Sequence, residues 1–406
     1  MTEIATSHVT ETLNRHVETV QPSATLAVSA RAKSLSSQGH DIVSLSAGEP
    51  DFGTPQPIVD AAHQALRDGF THYTPNAGIP ALREAVAAKL QRDGIDVQAQ
   101  NVLCSNGAKQ SVAQAVLAVC GPGDEVLIPA PYWVSYPEMA RLAGATPVPV
   151  ATRVADGYTM TPEALRAAIT DQSRVLLFNS PSNPTGAVYS PGFVRELADV
   201  IREHPNLLVV SDEIYAQVVF DAQHLSMASL PGMLERTMTI NGFSKAYAMT
   251  GWRLGYAAGP LWWADAMATI QSQITSGPSS ISQKAGVAAL EMDSAPLDKM
   301  VGAFRQRRDA FLARLDAIDG VQCPKPEGAF YLFPDVSAYY GTRTASGATI
   351  SGSADLCLYL LEEHGVALVP GVAFGDDNGV RISYAAGMDD LMKAADRIES
   401  GLGALR

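Results

Sequence analysis

Short apolar runs alternate with helical patterns through most of this chain, and that alternation restricts the possible folds more than any other feature. Strands are predicted at 101–104, 125–128, 175–178, 207–210, 237–240 and 254–258. Helices are predicted at 27–37, 57–68, 79–93, 107–119, 135–142, 192–203, 301–318 and, with a break at Gly277-Pro278, at 261–292. Apolar strands that alternate with helices are typical of a mainly parallel sheet covered on both faces. The sequence therefore predicts an α/β fold.

The pattern changes after Gly320, where a second, smaller α+β unit is predicted. Its strands are expected at 321–323, 329–333, 366–369 and 380–383, its helices at 354–363 and 389–402, and a strand at 41–46 precedes the large unit. A chain of 406 residues that is 47% hydrophobic can form one large core and one smaller core. We predict an N-terminal arm with part of the small domain at 1–55, a large domain at 56–300 and a small C-terminal domain at 301–406.

The formal net charge of -13 argues against a nucleic-acid or anionic-membrane partner. The four cysteines form no C-x-x-C pair, and the eight histidines show no zinc-site spacing, so no metal site is predicted. The first twenty residues lack the apolar stretch of a signal peptide, and no apolar run reaches the ~20 residues that span a bilayer. We expect a cytoplasmic protein with no membrane partner.

Lys245 lies in a loop of small and polar residues directly after the predicted strand at 237–240. Such a lysine can form an imine with an aldehyde cofactor. Pyridoxal phosphate (PLP) needs this lysine together with an acidic partner for its ring nitrogen. Asp212, at the end of the strand at 207–210, is a candidate for that partner, and Tyr215 can donate to the ring 3-oxygen.

Further candidates follow other predicted strands. Asn183 lies in a turn fixed by two prolines and a glycine, and the segment 105–109, with Gly107, joins a strand to a helix start that can bind phosphate. Arg253 can add donors to the same phosphate, and Trp133 can stack on a ring. Arg381, within an apolar strand, needs an anionic partner.

Each candidate also fits an ordinary structural role when it is considered alone. A loop lysine is usually a solvated charge, an aspartate at a strand end can cap a turn, and an arginine in a strand can pair with a distant acid. Their joint occurrence at strand ends favours a single site, because one cofactor requires all of them. The absence of a G-x-S-x-G or S-x-x-K motif argues against common serine hydrolases.

These residues lie in segments that resemble the class I PLP-dependent aminotransferases of fold type I, most closely the bacterial aspartate aminotransferases of the Iβ branch. The matching segments are AGEPDF at 47–52, HYTPNAGIP at 72–80, NGAKQ at 106–110, PYWVSYPE at 131–138, NSPSNPTG at 179–186, SDEIY at 211–215, NGFSKAYAMTGWR at 241–253 and VRISY at 380–384. They extend across nearly the whole chain. The resemblance implies a large domain with a mainly parallel seven-stranded sheet covered by helices, and a smaller α+β domain.

The resemblance also implies a role for each residue. The residues implied in catalysis are Lys245, which holds PLP and moves the substrate proton, Asp212 at the ring nitrogen and Tyr215 at the ring oxygen. The residues implied in holding the cofactor are those three with Gly107, Ala108, Lys109, Trp133, Asn183, Ser244, Arg253 and, from a neighbouring subunit, Tyr73. The residues implied in substrate binding are Gly48, Trp133, Asn183, Arg381 for the α-carboxylate, and Lys109 for the distal carboxylate with a hydroxyl from 23–25. A homodimer with shared sites is therefore expected.

One position departs from the family pattern, since Gly242 occupies a place where other branches have a phosphate-binding serine, and Ser244 substitutes only in part. The expected reaction is ping-pong transamination between L-aspartate and 2-oxoglutarate. The alternatives are aromatic, alanine or prephenate/arogenate specificity, a PLP lyase or synthase on the same fold, and a binding regulator that has kept the fold.

Overall fold

The computed structural model describes residues 13–406, so residues 1–12 of the predicted arm lie outside the described part. The α-helices are α1 (Arg15–Glu18), α2 (Ala24–Ser37), α3 (Gln56–Arg67), α4 (Pro80–Arg92), α5 (Ala108–Val119), α6 (Tyr136–Leu142), α7 (Pro162–Ala168), α8 (Pro191–Arg202), α9 (Leu261–Ile274), α10 (Ser280–Glu291), α11 (Ala295–Leu315), α12 (Ser353–His364) and α13 (Met388–Ala404). The strands are β1 (Val43–Ser44), β2 (Val102–Ser105), β3 (Glu125–Ala130), β4 (Thr146–Ala151), β5 (Ser173–Asn179), β6 (Leu208–Asp212), β7 (Thr237–Gly242), β8 (Gly255–Ala258), β9 (Tyr331–Leu332), β10 (Val366–Ala367), β11 (Val369–Pro370) and β12 (Val380–Ser383).

A seven-stranded sheet forms the centre of the molecule, with the order β2-β8-β7-β6-β5-β3-β4. Strands β3 to β7 are mutually parallel where they pair, and β8 runs antiparallel to both of its neighbours, β2 and β7. Strands β2, β6, β7 and β8 are buried along their whole length. This burial is expected of a sheet covered by helices on both faces. The predicted α/β fold with a mainly parallel seven-stranded sheet is confirmed.

Strand β4 was not predicted, because prolines interrupt its apolar pattern. Pro147 and Pro149 lie within Thr146–Ala151, and proline cannot donate to a hydrogen-bonded ladder. The structure accommodates both prolines because β4 is an edge strand that pairs only with β3. The short helix Pro162–Ala168 was also missed; its Thr161 cap accepts a hydrogen bond from the Ala164 amide at 3.2 Å.

Helix α8 shows how the sequence covers the sheet. Ser190 accepts a hydrogen bond from the Phe193 amide and Pro191 occupies the first helical position, so the chain starts the helix at a defined residue. Val194, Leu197 and Ile201 recur at helical spacing and are buried against the strands. Helices α5 and α9 bury a corresponding cluster on the opposite face.

The loops that follow the parallel strands all lie at one edge of the sheet. Asn179, the last residue of β5, is in register with Asp212, the last residue of β6. Ligands of open α/β sheets bind outside the carboxyl ends of the strands. The loops after β3, β5, β6 and β7 carry Trp133, Asn183, Tyr215 and Lys245, so all four begin at this edge.

The C-terminal part forms a three-stranded antiparallel sheet with the order β11-β12-β9, and β10 pairs in parallel with β1 from the N-terminal segment. The predicted strand at 321–323 was wrong, since only Gln322 makes an isolated bridge, with Asp335. The predicted strand at 366–369 is divided into β10 and β11. The three domain ranges stay a prediction, and the boundary at 300/301 falls inside α11.

Within residues 13–406, no helix combines the length and apolar character needed to cross a bilayer. The same residues contain no cluster of three or more histidine, cysteine or acidic side chains arranged to hold a metal ion. The cytoplasmic location stays a prediction.

Candidate active site

A cavity of about 310 Å³ opens at the carboxyl edge of the large sheet. The residues that line it are Ser23, Thr25, Leu26, Gly48, Ala108, Lys109, Trp133, Val134, Ser135, Tyr136, Asn179, Asn183, Asp212, Ile214, Tyr215, Ser244, Lys245, Arg253, Tyr331 and Arg381. All of the predicted site residues are among them except Gly107, which directly precedes Ala108, and Tyr73. The cavity has the size of a small-molecule site.

Lys245 is partly buried, and its Nζ donates a hydrogen bond to the Gly48 carbonyl at 2.5 Å. Burial lowers the pKa of Lys245 to about 8, because the ammonium form loses hydration. The charges of Arg381 and Arg253 act in the same direction, whereas Glu49 and Asp212 oppose them. The amine is therefore partly unprotonated near neutral pH, which is the state that a nucleophile or base requires.

Asp212 is 4% exposed, and both of its carboxylate oxygens have donors. Tyr136 donates to Oδ2 at 2.7 Å, and the Ile214 amide donates to Oδ1 at 3.2 Å. Burial raises the pKa of Asp212 to about 6, although the two hydrogen bonds lower it. The hydrogen bond from the Ile214 amide is the turn-capping contact expected of an aspartate at the end of a strand. The same carboxylate also lines the cavity.

Arg381 is 2% exposed, and its guanidinium has only neutral partners. Nη1 donates to Asn183 Oδ1 at 3.1 Å and Nη2 donates to the Ser46 carbonyl at 2.6 Å. Nε is buried without a partner, and no carboxylate of residues 13–406 pairs with this arginine. Burial lowers the pKa of Arg381, yet arginine keeps its charge in proteins. A buried unpaired cation that lines a cavity is a site for an anion.

The start of α5 forms a second anion site. Gly107 has φ +89° and precedes the helix without a side-chain cap, so the first amides of the helix have no side-chain acceptor. A Cβ on Gly107 would lie 2.6 Å from Nη2 of Arg253, so any other residue here would push this arginine away from the helix start. A Cβ on Gly255 would lie 2.3 Å from the Ala108 nitrogen, so glycine is required there as well.

Lys109 extends from the first turn of α5 over the ring of Trp133, with its Nζ 4.9 Å from the ring centroid. Burial lowers the pKa of Lys109, and the nearby charge of Arg253 lowers it further. Trp133 makes an edge-to-face contact with Tyr136 at 5.3 Å. The hydroxyl of Thr25, on the N-terminal side of the cavity, is buried without a partner.

The donor set of this cavity fits PLP. The uncapped helix start and Arg253 suit a phosphate, the Asp212 carboxylate suits a protonated ring nitrogen, and the Lys245 amine suits an aldehyde. The buried Nε of Arg381 has no partner in the described chain, as a site for a carboxylate substrate requires.

Tyr73 lies outside this cavity and is fully exposed. Among the lining residues that were not predicted, two make notable contacts: Tyr136, which donates to Asp212, and Tyr331, whose hydroxyl lies 2.8 Å from that of Tyr215. Tyr136 follows Trp133 by three residues in a matched segment, which was the available signal. No local pattern marked Tyr331.

Comparison with known proteins gives a consistent result. The family model described as aminotransferase class I and II matches residues 40–398. A bifunctional aspartate aminotransferase and glutamate/aspartate-prephenate aminotransferase from Petunia hybrida is 52% identical over 399 residues, which are 97% of this chain and 83% of the relative. An aspartate/prephenate aminotransferase from Cereibacter sphaeroides is 47% identical over 94% of this chain and 96% of its own.

Solved structures agree with the sequence relatives. The aspartate aminotransferase from Rhizobium meliloti has a TM-score of 0.94 and 42% identity over 97% of this chain and 100% of its own. The aspartate aminotransferase from Thermus thermophilus with maleate has a TM-score of 0.91 and 42% identity over 96% and 99%. These similarities confirm the resemblance that the sequence segments indicated.

Proposed function

The chain belongs to the class I and II aminotransferases, and from this premise we propose that it transfers amino groups between L-aspartate and 2-oxoglutarate, giving oxaloacetate and L-glutamate. Enzymes of this family depend on PLP and act on amino acids and 2-oxo acids. The observation that carries the choice of aspartate is the presence of two cations, Arg381 and Lys109, in one cavity. A dicarboxylic amino acid offers one anion to each.

The residues that would hold the cofactor are those that line the cavity between the sheet edge and α5. Asp212 would bond the ring nitrogen, and the hydroxyl of Tyr215 with the amide of Asn183 would bond the ring oxygen. The Nδ2 of Asn183 has no protein partner in the described range, which leaves it free to donate. Ala108, Ser244 and Arg253 would hold the phosphate, as would Gly107, and Trp133 would cover the ring face.

When bound, PLP supplies an aldehyde that joins the substrate nitrogen and a ring that accepts electrons from the bond broken at the α-carbon. Lys245 Nζ would take the proton from the α-carbon of the amino acid and deliver it to the former aldehyde carbon of the cofactor, as a base with a pKa about 8 can do near neutral pH. Gly48, whose carbonyl accepts from Nζ, keeps the amine inside the cavity. Asp212, in its carboxylate form, would keep the ring nitrogen protonated.

Specificity for amino acids follows from Arg381. Its Nε is buried without a partner, and its Nη1 already contacts Asn183, so a carboxylate can complete its hydrogen bonds. The distal carboxylate of aspartate would then face Lys109, whose ammonium is partly desolvated over Trp133. Because a desolvated charge pair is stronger than an exposed one, Lys109 discriminates aspartate from uncharged amino acids.

Replacing Lys109 tests this assignment. Lys109→Met keeps the aliphatic stem and removes the charge, so kcat/KM for L-aspartate should fall roughly 10- to 150-fold, as expected for a lost charged hydrogen bond. The value for L-alanine with 2-oxoglutarate should change by less than about threefold. Lys299→Met, on the exposed surface of α11, is the matched control. Equal losses of kcat/KM for both donors would show that Lys109 does not bind the distal carboxylate. Failure of PLP to bind the wild-type protein would refute the proposed transaminase function.

Prephenate is a second candidate acceptor, because relatives from Petunia hybrida and Cereibacter sphaeroides carry it in their names. Leu26, which lines the same cavity as Lys109, is 70% exposed, so this part of the cavity lining is open to solvent. Incubation of the enzyme with L-glutamate or L-aspartate and prephenate, followed by detection of the aminated product, tests it. Tests of aromatic amino acids and alanine as amino donors to 2-oxoglutarate distinguish the remaining specificities. Formation of pyruvate and ammonia without a 2-oxo acid would indicate a lyase.

The enzyme would function as a homodimer in which Tyr73 of one copy completes the site of the other. Two observations support this: Tyr73 is fully exposed, and an open cavity lined by Arg253, Asn106 and Trp252 lies next to the proposed phosphate site. Sedimentation equilibrium should give twice the chain mass, and Tyr73→Phe should weaken PLP binding several-fold. A monomer with full PLP affinity would contradict the shared site.

A further inference from the structure

Tyr331 contacts one residue that would bind the cofactor and one that would bind the substrate. It is the first residue of β9, pairs with Ser383 of β12, and is fully buried although it lines the cavity. Its hydroxyl is 2.8 Å from that of Tyr215, and its ring centroid is 4.8 Å from the guanidinium carbon of Arg381. A Cβ on Gly48 would lie 2.5 Å from its hydroxyl, so glycine at position 48 makes room for it.

The two hydroxyls form one hydrogen bond, and its direction decides where the Tyr215 proton points. Burial raises the pKa of both tyrosines, so both are neutral near pH 7. Two charged groups act on the pair: Arg381 lowers the pKa of both hydroxyls, and Asp212 raises that of Tyr215. In a neutral pair the more acidic hydroxyl is the better donor, which favours donation from Tyr331 to Tyr215. The proton of Tyr215 is then free for a group in the cavity.

The ring of Tyr331 acts on a different neighbour. The guanidinium of Arg381 lies over two aromatic rings, 4.8 Å from the centroid of Tyr331 and 5.0 Å from that of Phe374. With only neutral hydrogen-bond acceptors around it, this guanidinium depends on the two ring faces to stabilise its charge and fix its plane. A fixed plane is what bidentate binding of a carboxylate requires.

We propose that Tyr331 is a positioning residue with two separable parts: its hydroxyl directs the Tyr215 hydroxyl into the cavity, and its ring holds the Arg381 guanidinium in place for a carboxylate. The first part rests on the proposed binding of PLP, and the second applies to any carboxylate ligand. The two parts predict different results for two substitutions. Tyr331→Phe removes the hydroxyl and keeps the ring, whereas Tyr331→Leu removes both.

The test uses two dissociation constants, that of PLP for the cofactor-free protein and that of succinate, an unreactive dicarboxylate, for the PLP-loaded protein. Tyr331→Phe should weaken PLP binding about 3- to 10-fold, as expected for a neutral hydrogen bond, and should have no further effect on a Tyr215→Phe background. Succinate should bind Tyr331→Phe within about twofold of wild type, and Tyr331→Leu about 3- to 30-fold more weakly. Tyr359→Phe, which loses a buried hydrogen bond to Gly401 far from the cavity, is the control.

Different results overturn different parts. If Tyr331→Phe weakens PLP binding equally with and without the Tyr215 hydroxyl, the hydroxyl pair has no directing role. If succinate binds Tyr331→Phe as weakly as Tyr331→Leu, the ring does not hold Arg381. A wild-type protein that binds succinate but no PLP would refute the proposed function and leave the ring part standing. Far-ultraviolet circular dichroism shows whether the leucine variant folds, and the phenylalanine variants test the hydroxyl without it.

Discussion

The lowered pKa of Lys245 gives the sharpest prediction about the cofactor-free protein. The structure places this amine at a pKa about 8, against an ordinary lysine value of 10.5. At pH 7.5 about a quarter of the Lys245 side chains would then be unprotonated, against about 0.1% for an ordinary lysine. The protonated form of this amine is therefore about 3 kcal/mol less favourable than that of an ordinary lysine. Lys245 should therefore be far more nucleophilic at neutral pH than the exposed lysines of the same chain.

Trace labelling with acetic anhydride across a pH series measures this directly. The reagent modifies only the free amine, and mass spectrometry of the peptides gives the labelling rate of each lysine. The rate at Lys245 should reach its half-maximum near pH 8. Glu49→Gln should move the half-maximum to lower pH, because the Glu49 carboxylate raises the pKa of Lys245. Glu362→Gln, which removes an exposed carboxylate paired with Arg31, is the control.

A half-maximum near pH 10.5 would refute the argument that burial controls this amine. An unchanged midpoint in Glu49→Gln would leave burial as the cause and contradict the contribution of the neighbouring carboxylate. A shift of the same size in Glu362→Gln would show that the effect comes from the overall charge of the protein. Addition of PLP should abolish labelling at Lys245 alone among the cavity lysines if this amine is the one that reacts with the cofactor.

Three further outcomes follow from the site. Gly107→Ala should weaken PLP binding about tenfold or more, because φ is +89° there and the new Cβ would displace Arg253. Gly251→Ala, which adds a Cβ in open space, is the control. Equal losses of PLP affinity in the two variants would contradict the proposed phosphate site. PLP affinity should fall as pH decreases through about 6, since Asp212 then becomes protonated; a flat profile from pH 7 to 5 would oppose this. Tyr136→Phe should move that midpoint up by roughly one to two units through loss of a charged hydrogen bond, measured from the same titration.

The sequence predicted the large sheet well because its central strands are short, apolar and separated by regular helices. Its errors have physical causes. Strand β4 contains Pro147 and Pro149, which a strand tolerates only at an edge, and a sequence without pairing information does not show where the edge lies. The segment 321–323 has strand-like residues but makes one isolated bridge at Gln322, because the neighbouring positions find no partner in the sheet.

The candidate site was predicted where a residue has a chemical role that its type alone suggests. Lys245, Asp212 and Arg381 are of this kind, since each bears a charge in a place where burial is expected. Tyr136 and Tyr331 were missed because their functions come from contacts across 76 and 116 positions of the chain. The local sequence pattern around a tyrosine in an apolar strand is the same whether or not its hydroxyl forms a hydrogen bond with a distant residue. Only the packing of β9 against β12 and the loop after β6 distinguishes these cases.

Because the cavity contains more positive than negative side chains, the stability of the protein depends on bound anionic ligands. Four cations line the cavity, Lys109, Lys245, Arg253 and Arg381, against one carboxylate, that of Asp212, in a chain whose net charge is -13. Unpaired buried charge disfavours the folded state, as the lowered pKa of Lys245 and the unpartnered Nε of Arg381 show. A phosphate and two carboxylates supply the missing anions. The site is thus less stable without ligand because its cations are arranged for groups that the chain does not contain, and each bound anion should raise the free energy of unfolding.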